Sequence, residues 1–167
     1  MPPEEPWLRG PLPDVHPALA PVLYSFMQVR EDLERHTAGL SAEQVWRRVG
    51  AVPALGFQLR HIAGSVDRLV TYLCGDQLSE AQITQLKTEA GPGASLDELL
   101  AAVGASLDAA AARVRAMAPE SLYEPRYVGK KRLPTTVIGL LVHVAEHTQR
   151  HLGQAITTAK LVREVAF

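Results

Sequence analysis

The residues best able to do chemistry lie between positions 143 and 151, in the run HVAEHTQRH. Three of the chain's six histidines, His143, His147 and His151, follow one another there at four-residue intervals. On an α-helix, residues four apart share a face with Cβ atoms about 5–6 Å apart, so two imidazoles can close on one metal ion at about 2.0–2.1 Å. One ion cannot take all three. His143 and His151 are separated by roughly 12 Å along the axis and rotated by about 80°. An adjacent pair must be chosen, and the spacing leaves both pairs open. The same spacing also suits an ordinary solvated helix face.

A fourth histidine bears on that choice. His61 lies in QLRHIAGSVDRLV, among the apolar positions of another helical segment. A histidine turned inward needs partners for both ring nitrogens, or a metal. Its plain reading is a hydrogen-bonded core histidine. Joined to an H-x3-H pair on a second helix, it makes a three-histidine site with positions left for water or substrate. A structural zinc site would close with four protein ligands, and Cys74 is the only cysteine, so no thiolate pair completes such a set. Neutral imidazoles suit Zn²⁺, Ni²⁺ or Fe²⁺ without selecting among them.

The elements that must position these histidines are helices. Leu19, Leu23, Phe26, Met27, Arg30 and Leu33 repeat at three and four residues, predicting a helix over about 15–38 that starts later if Pro21 displaces it. Ser41 caps a short turn near 42–47. Leu55, Leu59, Ile62, Val66, Leu69, Val70 and Leu73 predict a second long helix over about 54–74, closed by Gly75. The polar segment 76–94 reads as a connector with a short helix around 79–88. Ser95 with Glu98 is a capping-box pattern opening a third long helix to about 117. The fourth begins near Pro134 or Thr135 and runs to about 163, carrying the histidine ladder. SLYEPRYVGKKRLP allows a short extended excursion, and KKR within it reads as a solvated loop.

Composition bounds the function. Hydrophobic residues make up 47% and charged residues 21% of 167, a globular composition with room for one core. A net charge of -1 argues against a nucleic-acid binder, and no apolar run reaches the about 18 residues of a membrane span. MPPEEPWLRG lacks the basic start and apolar stretch of a signal peptide, and a single cysteine fits a cytoplasmic setting. Cys74, near the end of an apolar run, reads as a small buried residue. The expected organisation is a Pro-rich extension over 1–14 followed by one helical domain over 15–167.

LRHIAGSVDRL and EHTQRHLGQ together resemble the DinB/YfiT-like superfamily of bacterial four-helix-bundle proteins. The resemblance runs from about 15 to 163, and its strongest element is H-x3-H-x-G-Q, here His147, His151, Gly153 and Gln154. It implies an all-α, up-down-down-up four-helix bundle. It also implies a metal ligand set of His61, His147 and His151, with His143 one turn away as a pocket-lining residue. Many members have Arg after the last ligand, where this chain has Leu152. Some relatives are metal-dependent transferases or isomerases that use low-molecular-weight thiols such as bacillithiol or mycothiol. The resemblance therefore implies a thiol and a small electrophile as partners, with Zn²⁺ or Ni²⁺ the first metals to consider and a homodimer as the assembly.

Neighbouring residues have weaker roles. Gly153 in mid-helix could let another helix approach, and Gln154 could bond a ligand histidine or a backbone group; an equally simple reading is a tolerated glycine and a surface glutamine. Arg150 and Arg60 each precede a ligand and could hold an anionic group at the pocket mouth. With Asp67 and Arg68, they read more simply as solvated surface residues. The competing function is a stress-associated bundle without enzymatic activity, either metal-binding or a plain interaction module.

Overall fold

The computed structural model describes residues 4–164. Helix α1 spans Ala20–Thr37, α2 Ala42–Trp46, α3 Leu55–Leu73, α4 Glu80–Thr88, α5 Leu96–Arg115 and α6 Val137–Glu164. Strands β1 (Pro125–Val128) and β2 (Leu133–Thr136) form an antiparallel hairpin between α5 and α6, with Pro125 opposite Thr136 and Val128 opposite Leu133. The extended excursion expected before the last helix is this hairpin, and the basic run is its turn.

The long helices begin and end where their sequences dictate. Ser41, Ser79 and Ser95 each close a reciprocal capping box, with Gln44, Gln82 and Glu98. Cys74 and Gly75 end α3 in a Schellman motif. Gly75 N–H donates to the Tyr72 carbonyl and Asp76 N–H to that of Thr71, and Gly75 takes φ +91°, which a side chain would oppose. Helix α1 starts at Ala20 rather than near 15, because Pro21 is tolerated only within the first turn. Cys74 is exposed, not buried, since it is the cap residue of α3 and lies beyond its packed face.

Side-chain contacts fix the topology. Ser25 meets Ala145 and Gln149, and Arg163 donates to the carbonyls of His36 and Ala38, so α1 and α6 run parallel. Ser106 of α5 donates to Ala63 of α3, while Trp46, packed on Gly56 at the start of α3, donates to Ala94 just before α5, so that pair is also parallel. Gln58 faces His151 and His61 faces His147, so α3 and α6 are antiparallel. Arg30 of α1 bonds Gly104 of α5, while Leu23 and Met27 share a cavity wall with Ala111 and Arg115, which makes α1 and α5 antiparallel. The four long helices, α1, α3, α5 and α6, therefore run up, down, down, up.

Their apolar stripes meet in one core. Leu33, Leu55, Leu59, Ile62, Val66, Leu73, Leu107, Val114, Ala155, Ala159 and Val162 are at most 1% exposed. Burying each large aliphatic side chain is worth about 1.5–3 kcal/mol, which makes this stripe the main stabilising feature. Among the described residues no helix is long and apolar enough to cross a membrane. Residues 4–14 lie against α1: Arg9 forms a bidentate pair with Glu31, and Tyr24 donates to the Gly10 carbonyl.

Candidate metal centre

On α6 the buried stripe Val144, Thr148, Leu152 faces the core. His147 and His151 flank it on the side toward α3, so both rings are half-buried at the α3–α6 seam. His61 sits at the matching edge of α3, next to buried Ile62, with its side chain 18% exposed. The antiparallel pairing brings the three rings together. Centroids lie 4.3 Å apart for His61 and His151, 4.6 Å for His147 and His151, and 5.2 Å for His61 and His147. One nitrogen from each falls within 4.8 Å of the others. Phe57 stacks on His61 one turn earlier, at 5.5 Å.

Two of the three rings have a partner on Nδ1. Nδ1 of His61 lies 2.7 Å from Glu89 Oε2, and Nδ1 of His151 lies 2.8 Å from Gln58 Oε1. Each acceptor selects the Nδ1–H tautomer and leaves Nε2 as the free donor, an arrangement that orients metal-ligating histidines. Glu89 and Gln58 are 3% and 1% exposed. Arg68, buried beside Glu89, places Nη1 2.8 Å from Oε1, an ion pair without hydrogen-bond alignment.

Electrostatics favour neutral rings. Burial lowers the pKa of both His147 and His151, assisted by repulsion from His61 and the other nearby cations, to about 4 in each case. Burial pushes the Glu89 carboxyl up, but the hydrogen bond from His61 and the Arg68 guanidinium together hold it below the usual carboxylate value. Nδ1 of His147 is buried with no hydrogen-bond partner. Such an atom costs about 1–3 kcal/mol unless something satisfies it. Three imidazoles, two with an Nδ1 partner and one with an unpartnered nitrogen, form a cluster compatible with a divalent metal site.

The other expected participants lie around this cluster. His143 is exposed one turn before His147, its ring 5.4 Å away, and its Nδ1 pairs with Glu146 at 2.7 Å. Arg150 is exposed and pairs with the same Glu146. Gln154 is exposed, and the glutamine that bonds a clustered histidine is Gln58 on α3. Gly153 is exposed too, and a Cβ there would meet nothing within 4 Å, so no helix approaches it. Arg60 donates to the Gly91 and Thr88 carbonyls and lies over the Trp46 ring at 4.8 Å, tying down the loop after α4 rather than facing solvent. Arg68 is likewise no surface residue but the buried partner of Glu89.

Glu89 and Gln58 were not foreseen from sequence. One signal for Glu89 lay in Gly64, three residues after His61. A Cβ at Gly64 would come within 2.6 Å of both Glu89 Oε1 and Arg68 Nη1, so the glycine makes room for the carboxylate.

A family model described as the DinB superfamily matches residues 25–155, and the chain belongs to that superfamily. None of the curated proteins matches it.

Proposed function

We propose that this protein is a metal-dependent enzyme that holds a divalent ion, Zn²⁺ or Ni²⁺ first and Fe²⁺ next, on His61, His147 and His151. The observation that carries the reading is the convergence of three imidazole nitrogens within 4.8 Å, drawn from two helices that share no local sequence. Three donors leave coordination positions open, which suits a catalytic site better than a closed structural one. When bound, the ion supplies Lewis acidity that lowers the pKa of a thiol or a water.

The chain's own residues prepare that chemistry. Burial keeps His147 and His151 neutral near pH 7, so their lone pairs are available without displacing protons. Gln58 and Glu89 hold two of the rings in one tautomer. We take the reaction to be transfer of a low-molecular-weight thiol such as bacillithiol to a small electrophile. The thiol gives its proton to solvent, its sulfur forms a bond to the electrophilic carbon, and the leaving group departs with the bonding pair. In this reading the enzyme works in the cytoplasm as a homodimer.

The test is thiol consumption with a generic electrophile, run with metal-loaded and chelator-stripped protein across several low-molecular-weight thiols. The reading expects turnover that depends on metal and falls to background in His151→Ala. No consumption above background with metal loaded would remove the transferase assignment.

A further inference from the structure

Helix α4 contributes no buried residue to the bundle. Polar contacts hold it at both ends. Near its start, Gln82 Nε2 donates to Asp67 Oδ2 and Thr71 Oγ1 of α3, each at 2.7 Å. At its end, Arg60 of α3 donates to the carbonyls of Thr88 and Gly91. The next residue after the helix, Glu89, enters the bundle between Gly64 and Arg68 and reaches His61 Nδ1.

A surface helix with no fully buried side chain, anchored apolarly only through half-buried Ile83 and Leu78 ahead of its cap, would not by itself drive a carboxylate into the interior, because burying a charge is costly unless it is paired and hydrogen-bonded. Arg68 balances the charge. His61 Nδ1–H supplies the hydrogen bond, and that bond leaves Nε2 as the one nitrogen of His61 able to serve as a donor to metal. We propose that Glu89 is the positioning carboxylate of His61, and that α4 is a clasp whose docking and metal binding at the three histidines favour one another. The inference rests on the metal reading above. The direction follows from linkage: a docked Glu89 orients His61 for the ion, and by reciprocity the ion holds α4 down.

The experiment uses the full chain, with Zn²⁺ as the probe. Amide hydrogen exchange over residues 80–91 is followed with and without Zn²⁺, and Zn²⁺ affinity is measured by calorimetry for wild type, Glu89→Gln and Gln82→Ala. Metal is expected to slow exchange over 80–91 in the wild type. Glu89→Gln is expected to weaken Zn²⁺ by about 10–100-fold, as loss of an oriented carboxylate partner does, and to abolish the metal-dependent protection. Gln82→Ala leaves Glu89, Arg68 and the histidines in place. It is expected to weaken Zn²⁺ by about threefold through the loosened capping and docking of α4, a readout that a purely local role for Glu89 would not move. If Glu89→Gln does not fold, the wild-type exchange and Gln82→Ala decide the matter. A wild type that binds Zn²⁺ with unchanged exchange over 80–91, or Gln82→Ala with wild-type affinity, overturns the clasp. A wild type that binds no Zn²⁺ overturns the metal reading itself, and the clasp with it.

Discussion

Replacing Gly64 by alanine tests the packing around Glu89. Glycine to alanine in a helix interior ordinarily stabilises, by about 0.5–1 kcal/mol. At this position the added Cβ would lie 2.6 Å from both Arg68 Nη1 and Glu89 Oε1. Both atoms end flexible side chains, but the residues are only 7% and 3% exposed and are paired with each other, so neither can swing away without breaking a buried ion pair. Overpacking of this kind costs about 1–3 kcal/mol, and set against the helix gain its mid-range leaves a net loss of about 1 kcal/mol. For a chain of this size that lowers the melting midpoint by about 2–4 °C. The assay is thermal and urea unfolding of metal-stripped wild type and Gly64→Ala. A variant that melts at or above the wild type refutes the claim that Gly64 is kept for the carboxylate.

The remaining predictions concern the same few residues. Gly153→Ala is expected to stabilise by about 0.5–1 kcal/mol in the same unfolding assay, because a Cβ there meets nothing within 4 Å. Gln58→Leu removes the acceptor of His151 Nδ1–H and is expected to weaken metal by about 10–100-fold, read by competition with a chromophoric chelator. The metal-free protein is expected to lose stability on acidification. His147 and His151 have folded pKa values of about 4 against an ordinary 6.5, so the unfolded chain binds more protons between those values. Their contribution is complete above about pH 6.5 and is lost as pH falls toward 4, which unfolding midpoints measured across that window will show.

The parts legible in the sequence are those set by local spacing. Leu55, Leu59, Ile62, Val66 and Leu73 announce their helix by period, and Ser95 with Glu98 marks a helix start by chemistry confined to four residues. The His147–His151 pair is local in the same sense, and His61 stood out because a polar ring interrupts an apolar stripe. What was not legible depends on tertiary contact. Glu89 sits in a polar connector after a helix with no buried face, so neither periodicity nor composition distinguishes it from a solvated glutamate. Arg68 looks like a surface cation until Glu89 is brought beside it. Nothing local marks Gln58, whose role depends on α6 arriving antiparallel and presenting His151. Gly153 allowed two readings from sequence, a close approach or a tolerated glycine, and the structure shows the second.

The central claim, that His61, His147 and His151 hold one divalent ion, is tested most directly by elemental analysis of protein purified without an affinity tag. The account predicts about one ion per chain in the wild type and close to none in His61→Ala or His151→Ala, since either change leaves two donors. Stoichiometric metal retained by both variants would contradict it.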